Sequence, residues 1–179
     1  MQEANLSEKE IIEDRVIDWI TISADSRLIA FKPEESLTGV DLIVKKRAEY
    51  EVDQNKKKEN SAFKKMGFAF ASPKNKKAKE VSLQVLASVN LKNDDNFVKD
   101  ILQDSFKPSK DFYLVFVNFD DVEQEINDFV WMIPSLEFRD IAEHLKFEAS
   151  INTENKNKFS RFLVNKTELG RILLKIIEL

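Results

Sequence analysis

The sequence is poor in the residue types on which many enzyme sites depend. Its 179 residues include no cysteine, one histidine and three glycines. The absence of cysteine excludes disulfides, thiolate metal sites and cysteine nucleophiles, and it fits a reducing cytosol. Three scattered glycines leave no phosphate-binding glycine loop, and the sequence contains no serine-hydrolase elbow. The single histidine, His144, has no histidine or cysteine partner, so we expect it at the surface.

Long apolar runs are also missing. No segment approaches the roughly 18 uncharged apolar residues of a membrane span. The first residues, MQEANLSEKEIIEDR, are charged and lack the apolar stretch of a signal peptide. We therefore expect a cytoplasmic protein that does not associate with membranes. Its 42% hydrophobic content, with 14 phenylalanines, predicts a core for one domain over residues 1–179.

Charge is distributed unevenly along the chain. The net charge is −4, but residues 45–79 carry +8 and the remainder carries −12. This basic insertion has two interpretations: solvated lysine-rich turns, or a surface that contacts the phosphate backbone of DNA or RNA. The lysines that would make such contacts are Lys56, Lys57, Lys58, Lys74, Lys76 and Lys77.

Apolar residues at helical spacing predict four helices. One opens at Ser7, where SEKE has the form of a capping box, and fades after Ser23. The second lies within NDDNFVKDILQDSF, with a buried stripe that includes Leu102. The third follows a cap at Ser135 and runs to about Lys146, and the fourth follows a cap at Thr167.

Alternating and continuous apolar runs predict the strands. The predicted strands are residues 27–31, 40–52, 62–72, 80–88, 111–119 and 128–134. Those from 40 to 88 form a meander whose basic turns protrude, and 111–119 is apolar enough to be a central strand covered on both faces. The order of elements predicts an α/β fold with a mixed sheet covered by helices.

Three polar side chains stand out against this framework. Asp41 lies near the start of a buried strand, Gln84 lies within EVSLQVLAS, and Glu13 lies on the first helix, with Glu10 as the second choice there. Oxygen ligands of this kind can hold a divalent cation, which can activate water for phosphodiester hydrolysis. Alternatively, Asp41 caps the turn after Gly39 or pairs with a lysine, Gln84 satisfies buried backbone groups, and Glu13 is solvated.

The segments GVDLIV, VSLQVLAS, DFYLVFVNF and VWMIPSLEF resemble, in order, the restriction-endonuclease-like superfamily of PD-(D/E)xK nucleases. The resemblance is strongest to the bacterial branch with a G-x-D strand and a Q-V-K strand. It implies a restriction-endonuclease-like mixed central sheet flanked by helices, with residues 45–79 as a basic hairpin or meander insertion. It also implies that Asp41 and Gln84 bind a magnesium ion, if the protein is active, and that Glu13 joins the site.

The sequence departs from this family at the lysine position, which is Leu86. The family lysine orients the attacking water and offsets negative charge in the transition state, and leucine can do neither. Lys79 or Lys92 would have to replace it. We therefore predict a nucleic-acid-associated domain with weak or lost phosphodiesterase activity. The alternatives are a protein-interaction module on an inactive nuclease scaffold and, with no cofactor motif to support it, a small-molecule enzyme.

Overall fold

The computed structural model describes residues 6–34, 38–48, 79–89, 96–102, 104–151 and 157–179. Within these residues the helices are α1 (Leu6–Ser23), α2 (Ser135–Ile141) and α3 (Leu169–Glu178). The strands are β1 (Leu28–Phe31), β2 (Leu42–Lys46), β3 (Val81–Val89), β4 (Asn96–Asp100), β5 (Phe112–Asp120), β6 (Glu125–Ile126), β7 (Phe129–Pro134), β8 (Lys146–Ser150) and β9 (Leu163–Asn165).

A seven-stranded mixed sheet forms the centre of the fold. Its order is β1-β2-β3-β5-β7-β9, and β6 pairs with the end of β5. Strands β3 and β5 are parallel, whereas β2 and β7 pair with them in the antiparallel sense. Strands β4 and β8 form a separate antiparallel ribbon. This architecture confirms the predicted α/β class with a mixed sheet flanked by helices.

The two faces of the sheet are buried by different side chains. The aliphatic face packs under α1 and α3 and includes Val16, Leu83 and Leu173, each fully buried. The aromatic face packs under α2 and the β4–β8 ribbon. Its buried rings are those of Phe97, Phe106, Phe112, Phe116, Trp131, Phe138, Phe147 and Phe159. Residues of β3 alternate between the two faces, as the period of a strand requires.

The predicted helix in NDDNFVKDILQDSF is wrong. Residues 96–100 form β4, which pairs antiparallel with β8. Phe97 is fully buried and meets Phe116, Trp131 and Phe147 edge to face, while Leu102 is 79% exposed. The contacts of the Phe97 ring with three other rings, and the pairing of all five β4 residues with β8, favour the strand. These contacts outweigh the helical preference that the local apolar spacing indicates.

Other predicted boundaries need smaller corrections. Strand β2 ends at Lys46, and Arg47 and Ala48 are helical, so the strand predicted to residue 52 is too long. Helix α2 ends at Ile141 rather than near residue 146. The chain then turns through His144, which has a positive φ and is exposed as expected, into β8.

Three predicted helix caps also differ. Ser135 is the first residue of α2, and its hydroxyl bonds the backbone of Ser109 instead of capping the helix. Helix α1 begins at Leu6, so Ser7 lies inside it rather than before it. Ahead of α3 the capping side chain is that of Asn165, which accepts from the Thr167 N–H, and not that of Thr167.

Several sequence predictions lie outside the described residues. They are the strand at 62–72, the turn lysines Lys56, Lys57, Lys58, Lys74, Lys76 and Lys77, and Lys92. The single-domain interpretation of residues 1–179 stays a prediction. No helix in the described part of the chain is both long and apolar enough to span a bilayer.

Candidate functional site

Asp41 lies where β2 separates from β3. These strands pair with Leu42 opposite Leu83, and continuation of this register would place Asp41 opposite Gln84. Instead the Asp41 N–H donates to the Leu83 carbonyl at 2.9 Å, so this hydrogen bond is shifted by one residue from the register of the two strands. The carboxylate Oδ2 accepts from the Val85 N–H at 2.7 Å. Asp41 therefore satisfies a backbone donor that the interrupted ladder leaves free.

Gly39 makes this path of the chain possible. Its φ is +72°, in the left-handed region that favours glycine. A Cβ built there would lie 2.2 Å from the Ser105 carbonyl oxygen and 2.9 Å from the Phe106 Cα. The backbone before Asp41 thus packs directly on the segment that leads into β5, and no larger side chain fits between them.

Helix α1 brings a second carboxylate to the same point. Glu13 is only 7% exposed although it lies on a highly charged helix, so it is not a solvated surface residue. Lys9, one turn earlier, places its Nζ 2.7 Å from Asp41 Oδ1 and 3.6 Å from Glu13 Oε1. We call Asp41 and Glu13 the acid pair. A lysine ammonium lies in contact with both members.

Two lysines contact the acid pair, Lys9 at both members and Lys32 at Glu13. Burial raises the pKa of Glu13, and the negative charge of Asp41 raises it further, against the opposing effect of Lys32 and Lys9. Lys32 Nζ lies 3.3 Å from Glu13 Oε2 and 3.1 Å from Asp14 Oδ1. For Lys9, burial lowers the pKa, but the hydrogen bond to Asp41 and the charges of both carboxylates outweigh it and raise the pKa. The pKa of Glu13 is therefore raised although two lysines lie beside it.

Gln84 directly precedes Val85, whose N–H binds Asp41, but the side-chain amide of Gln84 contacts the backbone of Ser105. Its Nε2 donates to the Ser105 carbonyl at 3.4 Å, and its Oε1 is buried without a hydrogen-bond partner. Leu86, two residues later on the same side of β3, packs against the aromatic face. The structure therefore brings Asp41 and Glu13 together through Lys9, and it places Gln84 and Leu86 toward the aromatic side.

The predicted replacement of the missing lysine by Lys79 has no support in the structure. Lys79 Nζ donates to the Ile176 carbonyl at 2.7 Å, near the carboxyl end of α3, where a cation is favoured. Lys9 contacts both members of the acid pair and Lys32 contacts Glu13, and neither lysine was predicted from the sequence. Lys9 could have been identified from its position four residues before Glu13, which places the two side chains on one face of α1.

The donor types fit a magnesium site. The two carboxylates of the acid pair are hard oxygen ligands, of the type that magnesium prefers. Among the described residues, no three Asp, Glu, His or Cys side chains are grouped to hold a metal ion. Magnesium commonly uses only one or two carboxylates and completes its shell with water and substrate phosphates, so the acid pair meets that requirement.

Comparison with known proteins shows a likeness at the level of fold. No protein-family model matches the sequence, and no curated protein sequence matches it significantly. Among solved structures, a bacterial homing endonuclease, I-Ssp6803I, superposes with a TM-score of 0.52 at 11% identity. The alignment covers 97% of this chain and 94% of that chain. The chain shares the fold of that endonuclease.

Proposed function

We propose that the chain is a nucleic-acid-associated domain of the restriction-endonuclease-like, PD-(D/E)xK type, with weak or lost phosphodiesterase activity. The observation that carries this proposal is the acid pair at the point where β2 separates from β3, which we call the fork. The chain that holds it shares an endonuclease fold. The presence of Lys9 on the acid pair and of Leu86 at the expected lysine position supports weak rather than efficient chemistry.

Each member of the proposed site has a separate role. Asp41 is the principal magnesium ligand, and Glu13 is the second carboxylate. The side-chain amide of Gln84 would have to turn away from Ser105 to add its oxygen as a further ligand. The bound metal would activate a water molecule and stabilise charge on the phosphate. The Val85 N–H orients the Asp41 carboxylate, and Lys32 partly neutralises Glu13. Leu86 cannot orient water or stabilise an oxyanion, so this part of catalysis is absent from β3.

The basic insertion would supply the contacts to the nucleic acid. Residues 45–79 carry +8 in a chain that is otherwise strongly acidic, so phosphate contacts should be confined to that part of the surface. The lysines we assign to these contacts are Lys56, Lys57, Lys58, Lys74, Lys76 and Lys77. Phosphate contacts made by lysines release counterions, so binding should weaken steeply as salt rises.

Titration of a labelled DNA duplex and a labelled RNA between about 50 and 200 mM salt tests the binding proposal. We expect affinity to fall with salt for the parent chain. Replacement of Lys56, Lys57 and Lys58 by glutamine should reduce both the affinity and the salt dependence. The charge-matched control replaces Lys107, Lys110 and Lys175, which are exposed outside the insertion. Equal losses in both variants would reject the insertion as the contact surface, and no binding at low salt would favour the protein-interaction module.

A plasmid-nicking assay with magnesium or manganese tests the chemistry. Any activity should be weak in the parent chain and absent in Asp41→Asn, because asparagine removes the charge but keeps an acceptor for the Val85 N–H. Equal nicking by the parent and Asp41→Asn would show that the activity does not depend on the acid pair.

A further inference from the structure

The ammonium group of Lys9 occupies the point where the acid pair is open to solvent. Its side chain is 49% exposed, whereas those of Asp41 and Glu13 are 13% and 9% exposed. The lysine therefore approaches from the solvent side, and the two carboxylates form the inner side of the contact.

Both carboxylates have partners besides Lys9. Asp41 accepts from the Val85 N–H at 2.7 Å, and Glu13 lies 3.3 Å from Lys32 Nζ. Lys9 itself is held only by these two acids among its described polar contacts, 2.7 Å from one and 3.6 Å from the other. It can therefore leave the acid pair while the carboxylates stay in place.

We propose that Lys9 is the resident counter-ion of the acid pair and that it competes with a divalent cation for Asp41 and Glu13. A cation that binds both carboxylates must displace the ammonium group, because the two positive charges would otherwise lie within a few ångströms of each other. The inference rests on the proposed role of Asp41 as a metal ligand. It adds that a residue on α1 holds down the metal affinity of this chain, whereas Leu86 at the lysine position affects the chemical step.

The competition predicts a gain of metal binding when the charge of Lys9 is removed. Lys9→Met keeps much of the apolar stem and deletes the ammonium group, whereas Lys9→Arg keeps the charge. At these separations, loss of one unit charge should tighten divalent binding about tenfold or more. Lys110→Met is the control for a general change in net charge, because Lys110 is 85% exposed and contacts only Asp111 among its described ion pairs.

Manganese binding to the full chain, measured by the electron paramagnetic resonance of free Mn²⁺ without nucleic acid, tests the proposal. We expect weak binding in the parent, Lys9→Arg and Lys110→Met, and at least about tenfold tighter binding in Lys9→Met. The gain should disappear in the double variant Lys9→Met/Asp41→Asn. Circular dichroism checks that each variant is folded, and Lys9→Gln replaces Lys9→Met if that variant is not.

Three results would overturn the competition: a Lys9→Met affinity equal to that of the parent, an equal gain in Lys110→Met, or a gain that persists without the Asp41 carboxylate. Absence of manganese binding in every variant also overturns it. The manganese titration contains no nucleic acid, so its result does not depend on whether the chain binds DNA or RNA. The competition by Lys9 and the nucleic-acid binding can therefore be rejected independently.

Discussion

The two faces of the central sheet differ in what they bury and in what they leave polar. The aromatic face is a network of rings in which Phe116 and Phe147 stack with centroids 3.8 Å apart. The aliphatic face is covered by α1 and α3, and at its margin α1 places Lys9 and Glu13 beside Asp41. Charged groups therefore enter the fork from the α1 side of the sheet. A residue at position 86 faces rings, so the positive charge at this site comes from Lys9 on α1 and from Lys32 after β1, and not from β3.

The largest effect should come from the aromatic face. Phe147→Ala removes a fully buried ring that contacts four other aromatic side chains, so we expect a loss of about 3–5 kcal/mol in the free energy of unfolding. Phe129→Ala, at a ring that is 39% exposed, should cost much less. Urea denaturation measures both values. Similar losses at the two positions would show that the ring network is not a main source of stability.

Gly39→Ala tests the close packing of the backbone before Asp41 against Ser105 and Phe106. The new methyl would overlap the Ser105 carbonyl, and alanine disfavours a φ of +72°, so we expect a loss of about 2–4 kcal/mol. Thr38→Ala, at the exposed neighbouring position, is the control and should change stability little. A Gly39→Ala variant as stable as the control would mean that the loop can move away from residues 105–106.

Asp41 has a structural role that can be separated from its charge. Asp41→Ala leaves the Val85 N–H without an acceptor, which should cost about 1–3 kcal/mol. Asp41→Asn loses the same charge but can still accept that hydrogen bond, so it should cost less. Thermal unfolding of the two variants measures the difference. Equal stability would indicate that the Val85 N–H finds another partner.

Glu13→Gln should give the smallest effect, and its sign depends on pH. The folded protein raises the pKa of Glu13, chiefly by burial and then by the charge of Asp41, while Lys9 and Lys32 oppose the shift. Asp14, which shares Lys32 with Glu13, is the remaining charged neighbour. A raised carboxyl pKa favours the folded state at low pH, and that contribution is lost as pH rises from the usual value of 4.5 through the raised pKa.

Glutamine does not titrate, so the variant avoids this loss. Between about pH 4 and pH 7 the stability of Glu13→Gln relative to the parent should improve, by less than the loss expected for Asp41→Ala. Denaturation at the two pH values measures the change. If the stability of Glu13→Gln relative to the parent falls as pH rises, the lysines stabilise the ionised carboxylate more than burial destabilises it.

The sequence was most informative where one pattern determined one environment. The apolar run of β5 predicted a central strand, and the alternation in β3 correctly placed Gln84 and Leu86 on one side. It failed for β4, because the partner strand β8 lies about fifty residues later and the local apolar spacing also fits a helix. Secondary structure there is decided by a contact that no local window contains.

The candidate site was predictable only in part for the same reason. Asp41 and Glu13 were identified from residue type and from a family resemblance, and the structure shows that one lysine contacts both. Lys9 was missed because Asp41 lies 32 positions away, and the direction in which β2 leaves β3 determines which residue of α1 reaches it. The orientation of the Gln84 amide toward Ser105 likewise depends on a loop distant in sequence.

A crystal structure of the full chain bound to a short DNA duplex would test the central claim most directly. We expect a backbone phosphate at the fork between β2 and β3, beside Asp41 and Lys9, with the basic insertion along the same duplex. A duplex that contacts another surface and leaves the acid pair exposed to solvent would contradict it.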